Sequence, residues 1–234
     1  MNLTTPWFEG ATPHPSIQEG KVNEALFEAK LGEVIRDRGP VEYRDAQIFF
    51  EKTYLTAGLR RLLLDILSTL NGERAANAAA NAAANAAANA VVNLKTSFGG
   101  GKTHTELAIY HLFEHADTAM RVPHVRELVA EAGLQAPPAA TVAVLPCTRF
   151  DPTGYTTPDG LHVRTLWGEM AYQLNGAEGF AVVADADAQL VSPGEDALEA
   201  VLRQVEGPVV LFDETLHYVD KVARFGGIES DLAK

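Results

Sequence analysis

The sequence contains very little of several features that would define a class of protein. It has one cysteine among 234 residues, which excludes an internal disulfide framework and a zinc site built from several cysteines. No apolar run approaches the roughly 20 residues that cross a bilayer. The N-terminus also lacks the basic start and apolar stretch of a signal peptide. We therefore expect a soluble, cytoplasmic protein without a membrane segment.

Positive charge is scarce as well. Nineteen Lys and Arg stand against thirty-one Asp and Glu, which gives a formal net charge of −12. A surface that holds the phosphate backbone of DNA needs clustered positive charge, so we expect this segment not to bind DNA by itself. With 47% hydrophobic residues, the chain can still bury a sizeable core.

The first part of the chain, residues 1–74, begins with an irregular arm and continues as a helical N-terminal subdomain. Apolar residues recur there at helical spacing, and they predict helices over 22–38, 44–52 and 59–70. Residues 75–90 then repeat Ala-Ala-Asn-Ala four times. We interpret this repeat as a low-complexity insertion that is flexible or marginally helical.

The remaining part, residues 91–234, alternates between strand and helix patterns. Short apolar runs predict buried strands at 91–95, 141–145 and 209–212. Between them we expect helices at 103–115, 122–132, 166–174 and 196–205, and a long loop at 151–163. A Ser-x-x-Glu capping box at 192–195, with proline at its second position, is expected to start the last of these helices. This alternation predicts an α/β fold with a parallel sheet covered on both faces.

The most informative segment is a glycine-rich turn between a predicted strand and a predicted helix. Consecutive glycines let backbone N–H groups point at phosphate oxygens, and the start of the helix adds its positive dipole end. Lys102 would reach the β- and γ-phosphates of a nucleotide, and the Thr103 hydroxyl would ligate Mg²⁺. The predicted nucleotide-binding residues are Phe98, Gly99, Gly100, Gly101, Lys102, Thr103 and His104. Thr96 stands where this phosphate-binding pattern usually has its first glycine, and the alternative is a glycine-rich turn that happens to precede Lys-Thr.

An acidic pair follows the third predicted strand. Asp213 and Glu214 emerge at the carboxyl end of that strand, where ligands of open α/β sheets bind. Asp213 would hold Mg²⁺ through a water, and Glu214 would polarise the attacking water as a general base. Together with Lys102, this pair predicts nucleotide hydrolysis rather than simple binding. Alone, an Asp-Glu pair after a strand could merely cap a helix.

Two further patterns offer competing chemistry. The sequence HLFEH at 111–115 matches a metallopeptidase signature, H-x-x-E-H, but a third ligand would have to come from elsewhere. We favour the alternative, in which His115 lies in the last turn of a half-exposed helix end and interacts with the helix dipole. Cys147 has no evident activating base, so a buried small residue is a better interpretation than a nucleophile.

Five segments together resemble a known family. They are TYLTAGL at 53–59, TSFGGGKTHT at 96–105, YHLF at 110–113, TLWGE at 165–169 and the strand ending in Asp213-Glu214. This set resembles a family of large bacterial and archaeal AAA-type ATPases. Its members carry a domain of unknown function and occur in anti-phage defence clusters beside methyltransferases and helicases. The similarity spans almost the whole chain except the Ala/Asn repeat.

The resemblance implies an AAA-type P-loop NTPase sheet that is incomplete in this chain. It implies ATP with Mg²⁺ as ligands, defence-cluster proteins such as a methyltransferase or helicase as partners, and contact with DNA through a larger complex. It further implies that the chain is an N-terminal portion of a longer, oligomeric protein. In the P-loop ATPase arrangement a further strand carrying a polar sensor residue inserts between the first strand and the acidic one, and we expect the sensor, the arginine finger and any helical lid to be absent from this chain or supplied by something else. Nucleotide binding without turnover, as a switch or scaffold, is the alternative function.

Overall fold

The computed structural model describes residues 29–72, 91–94 and 101–225. The first of these ranges folds into four helices, α1 (Leu31–Val34), α2 (Val41–Arg44), α3 (Ala46–Lys52) and α4 (Ala57–Leu70). The last helix matches its prediction. The helix predicted at 22–38 ends at Val34 in the described part, because Asp37 and Gly39 adopt left-handed φ angles of 54° and 84°.

The range after the glycine-rich turn mixes helices with short strands. Three helices come first, α5 (Lys102–Glu114), α6 (Ala116–Ala119) and α7 (Pro123–Glu131). They are followed by β1 (Thr141–Pro146), a hairpin of β2 (Tyr155–Thr156) and β3 (His162–Val163), α8 (Leu166–Gln189), α9 (Glu195–Leu202), β4 (Pro208–Asp213) and α10 (Thr215–Phe225). Within the described part of the chain, no helix is both long and apolar enough to cross a membrane.

The central sheet consists, in the described residues, of β1 and β4 paired in parallel. The register joins Thr141 to Pro208 at one end and Pro146 to Asp213 at the other. The carboxyl ends of both strands therefore lie at the same edge. This arrangement confirms the predicted mixed α/β architecture and the parallel pairing of these two strands.

Both faces of this small sheet are covered. Val144 and Leu211 belong to one core cluster with the N-terminal helices, α5 and α7. Ala143 and Leu145 face the other way and pack with residues of α8 and α9. Alternate residues of β1 thus point into separate cores, which explains why the strand is apolar along almost its whole length.

The helices before and after the Ala/Asn repeat share one core. Phe49 and Phe50 of α3 and Leu63 of α4 are buried in the same cluster as Leu107 and Leu112 of α5. An ion pair between Arg60 and Glu131 joins α4 to α7 at the surface. Helix α5 therefore packs against the N-terminal helices. The repeat itself falls outside the described residues.

The strand predicted at 91–95 is absent from its described part. Residues 91–94 form no strand, and Val91 and Val92 are 82% and 53% exposed. An open groove of about 1140 Å³ separates this segment from β4. Because no described backbone pairs with these residues and their side chains gain little burial, their apolar character does not produce a strand there.

Two other local predictions were wrong. The loop predicted at 151–163 contains the β2–β3 hairpin. The helix predicted at 166–174 is confirmed, because helical geometry begins at Leu166 and breaks at Asn175 and Gly176, but a second helical stretch that was not predicted follows this kink to Gln189. The capping box is not formed, because the N-cap of α9 is Gly194, which has no side chain to accept a hydrogen bond. The Ser192 hydroxyl instead faces the Pro193 carbonyl oxygen at 3.3 Å.

Candidate functional site

The start of α5 presents Lys102 and Thr103 at the end of the glycine-rich turn. Gly101 is the N-cap of this helix and has φ 81°, a left-handed conformation that glycine adopts without steric cost. The helix then runs 13 residues to Glu114, so its positive dipole end faces the turn. Lys102, predicted to bind phosphate, and Thr103, predicted to ligate the metal, therefore lie on α5, which begins at the expected position.

The end of β4 presents the acidic pair. Asp213 is half-buried as the last residue of the strand, and its carbonyl oxygen accepts a hydrogen bond from the Cys147 N–H at 2.9 Å. Glu214 has φ 55°, a left-handed conformation that is uncommon for a residue other than glycine. Its side chain is 50% exposed, with Oε2 4.0 Å from His217 Nε2. The turn at Glu214 thus sends the two carboxylates into different surroundings.

Glu106 is a further acidic group at this site. It lies four residues after Lys102 on α5, so the two side chains occupy the same face of the helix. Its side chain is only 7% exposed. The same groove is lined by Lys102, Glu106, Asp213 and Glu214. The start of α5 and the end of β4 therefore bring three carboxyl groups and one ammonium group together.

The electrostatics of the site reflect this crowding of negative charge. Burial raises the pKa of Glu106 to about 8, with further contributions from Asp213 and Glu214 that the charge of Lys102 partly offsets. The pKa of Asp213 is also raised, first by burial and then by Glu214. Two of the three acids thus resist ionisation, first because burial disfavours their charged forms and then because the neighbouring acids repel a further negative charge.

A hydrated Mg²⁺ fits these residues better than a fully dehydrated one. In the described part of the chain, no three His, Cys, Asp or Glu side chains are arranged to hold a metal ion directly. Mg²⁺ usually keeps several waters and takes one or two protein ligands plus phosphate oxygens. A hydroxyl at Thr103 and a carboxylate at Asp213 suit that coordination. Glu106 Oε2, buried without a hydrogen-bond partner among the described residues, indicates that donors are missing from this site.

Comparison with known protein families identifies the family of this chain. Residues 16–231 match the N-terminal domain of DUF499. The chain belongs to the DUF499 family. No curated protein and no solved structure matched it. The site of this DUF499 domain, from Lys102 to Glu214, lies entirely within the matched residues.

The other predicted nucleotide-binding residues of the DUF499 domain fall in two groups. Phe98, Gly99 and Gly100 lie outside the described residues. His104 turns away from the acidic pair toward the N-terminal helices. Its Nε2 lies 3.0 Å from the Thr53 hydroxyl, and its ring centroid is 4.6 Å from that of Phe49. Burial lowers the pKa of His104. The side chain of His104 therefore holds α5 against α3, which leaves its backbone N–H as the group facing the helix start.

The H-x-x-E-H pattern is structural in this domain. His111 is fully buried, and its Nε2 donates a hydrogen bond to the Tyr43 carbonyl oxygen at 2.7 Å. Burial lowers the pKa of His111 to about 4, so the ring is neutral. His115 is exposed and forms the C-cap of α5. The expectation of an exposed helix end holds for His115. It does not hold for His111, whose buried ring connects α5 to the N-terminal helices.

Cys147 is likewise a core residue. It is 0% exposed, and its thiol donates to the Leu145 carbonyl oxygen at 3.3 Å. Burial, followed by the charges of Asp213 and Glu106, raises the pKa of the thiol to about 11. A thiol of this kind is not ionised at neutral pH and does not act as a nucleophile.

The sequence reasoning missed Glu106. A signal was available, since Glu106 follows Lys102 by four residues in a predicted helix and therefore had to share its face. The sequence did not indicate that the helix face carrying Lys102 and Glu106 is buried against the end of β4. Arg149, which follows β1, forms an ion pair with Glu33 of α1.

Proposed function

We propose that this DUF499 domain binds ATP with Mg²⁺ and hydrolyses it as an AAA-type P-loop ATPase module. One observation carries the proposal: Lys102 at the start of α5 and Asp213 at the carboxyl end of β4 line the same groove. A helix start and the carboxyl end of a parallel strand are where nucleotide phosphates and their metal bind in α/β folds. The glycine-rich turn that leads into α5 supports this assignment.

Each residue would contribute to a reaction that depends mainly on positioning and charge. Lys102 would bind the β- and γ-phosphates, and Thr103 would ligate the metal. Asp213 would hold a water of the metal. The bound Mg²⁺ would neutralise charge on the phosphate oxygens. Glu214 would orient and polarise the attacking water, and its exposed side chain is free to reach a nucleotide in the groove.

The proposed setting is anti-phage defence. The family resemblance supports a role in powering a complex that contains a methyltransferase or helicase and acts on DNA. The net charge of −12 argues that DNA would be held by other parts of such a complex, because this domain would repel a polyanion. AAA-type ATPases work as oligomers, and we propose an oligomer here.

The alternative is a nucleotide-dependent switch that binds ATP without appreciable turnover. One observation favours it. Among the described residues, the one basic side chain within 4.0 Å of Glu214 is His217, and the Arg149 guanidinium is paired with Glu33. Arg61 of α4 lines the same groove and pairs with Asp65, so among the described residues no arginine pairs with the acids at the end of β4, where an arginine finger would add roughly 10³–10⁵ in rate in related reactions.

Glu214→Gln separates the two functions. We expect it to keep nucleotide affinity and to lower phosphate release by about 10²–10⁴, the usual worth of a general base. Glu199→Gln on α9 is the matched control, since its side chain is 53% exposed against 50% for Glu214. Phosphate release should be measured with and without duplex DNA.

The outcomes divide cleanly. Turnover that is lost in Glu214→Gln and kept in Glu199→Gln supports the ATPase. Nucleotide binding with no turnover in any of these proteins supports the switch. Normal turnover by Glu214→Gln would show that Glu214 is not the base.

A further inference from the structure

Glu106 is a buried carboxyl group to which the proposed reaction assigns no role. Its side chain is 93% shielded from solvent, and Oε2 has no hydrogen-bond partner in the described part of the chain. A buried polar group without a partner is unfavourable and is uncommon in folded proteins. A helix face that only packed against the sheet would be expected to carry an apolar residue here, as Leu107 and Ala108 do on the neighbouring positions of α5.

The groups that face Glu106 come from three elements. Lys102 lies one turn earlier on α5, Asp213 ends β4 and Glu214 follows it, and these three line the same groove as Glu106. The Cys147 thiol, after β1, is affected by the charge of Glu106. Among the described residues that line this groove, the cations are Lys102 and Arg61, and Lys102 is the one on the same helix as Glu106. The groove lining therefore carries more acids than cations, and the buried Glu106 Oε2 lacks a hydrogen-bond donor among the described residues.

A hydrated divalent cation supplies positive charge and hydrogen-bond donors at once. Its charge offsets the excess of carboxylates, and its bound waters donate hydrogen bonds. Direct ligation by all three acids does not fit, because no three acidic, His or Cys side chains in the described ranges are arranged around one metal position. The buried Glu106 carboxylate would therefore contact the metal ion through a bound water.

We propose that Glu106 is a positioning residue of the Mg²⁺–nucleotide site, and that its carboxylate accepts hydrogen bonds from the waters of the metal that Thr103 ligates. This inference rests on the proposed nucleotide site and extends it. Glu106 and Asp213 then hold the hydrated face of the metal from two elements, α5 and β4. The i, i+4 spacing to Lys102 links the phosphate contact and the metal contact on one rigid helix.

The test is the Mg²⁺ dependence of nucleotide binding in Glu106→Gln. A fluorescent ATP analogue is titrated first in EDTA and then at a series of Mg²⁺ concentrations. Loss of an outer ligand-orienting group typically costs 10–100-fold in metal affinity, so the Mg²⁺ concentration at half-effect should rise by about that factor. Affinity in EDTA should be unchanged, because Lys102 and the glycine-rich turn are intact. Glu114→Gln at the exposed end of the same helix is the matched control.

The two proposals fail differently. If the wild type binds the analogue and Glu106→Gln needs the same Mg²⁺ concentration for half-effect, the role of Glu106 is overturned and the nucleotide site is not. Wild-type protein that binds no analogue with or without Mg²⁺ would overturn both. A purely structural role for Glu106 would change affinity in EDTA and in Mg²⁺ by the same factor, which would also contradict the proposal.

Discussion

Glu106→Gln should change how the stability of the protein depends on pH. Burial and the neighbouring acids raise the pKa of Glu106 from its ordinary 4.5 to about 8. Between these values the native carboxyl keeps its proton while the unfolded one loses it, so the native state binds more protons. The free energy of unfolding therefore falls as pH rises through this window. Glutamine has the shape of the protonated acid and does not titrate.

The size of the effect follows from the shift. At 1.36 kcal/mol per pKa unit, a rise from 4.5 to about 8 makes the wild type roughly 3 kcal/mol less stable at pH 7 than at pH 4.5. The variant should lack this loss. We therefore expect Glu106→Gln to be more stable than wild type by about 3 kcal/mol at pH 7, and to match it near pH 4.5.

Urea unfolding followed by circular dichroism, in EDTA and at several pH values from 4.5 to 8, measures this difference. Comparing variant with wild type at each pH cancels the titration of the other groups to first order. Glu114→Gln, at the exposed end of α5, should show no such trend. A difference that stays constant across this range would refute the buried, unpaired environment of Glu106.

Three further changes test the surroundings of the site. Gly168→Ala in α8 should lower the free energy of unfolding by roughly 1–3 kcal/mol, because a Cβ there would overlap Asp187 Oδ1. Its control, Gly58→Ala in α4, where a Cβ meets nothing within 4 Å, should not lower it. Equal losses of unfolding free energy in the two variants, measured by urea denaturation, would contradict this packing. Glu214→Gly should be neutral or stabilising by up to about 1 kcal/mol, since glycine tolerates the left-handed φ of 55°; a clear loss of thermal stability would contradict that backbone. Cys147, 0% exposed, should react with a thiol reagent in urea and not in buffer, and rapid labelling of the native protein would show that it is accessible.

The parts of the fold that were predictable are those in which local pattern and burial agree. The apolar runs of β1 and β4 and the stripe of α4 are flanked by clear stop signals, and their elements formed as expected. The position of Lys102 and Asp213 along one groove was also predictable, since the start of a helix and the carboxyl end of a parallel strand converge at one sheet edge, although the strand predicted before α5 does not form in residues 91–94.

The parts that were not predictable depend on partners distant in sequence. Val91 and Val92 have the composition of a strand, but no neighbouring backbone pairs with them in the described residues. The continuation of α8 past Asn175 is favoured by contacts of its second half, where Phe180 and Val183 are buried. The burial of Glu106 arises from the docking of α5 against β4, which no local pattern contains.

Nucleotide binding by Lys102→Ala tests the central proposal most directly. Isothermal titration with ATP and Mg²⁺ compares wild type, Lys102→Ala and Lys52→Ala, whose lysine pairs with Glu42 on the N-terminal helices. A charge-assisted contact to phosphate is worth roughly 1.5–3 kcal/mol. Lys102→Ala should therefore weaken binding by about one to two decades, and Lys52→Ala should bind as wild type does. Equal affinity in all three proteins would contradict a phosphate site at the start of α5.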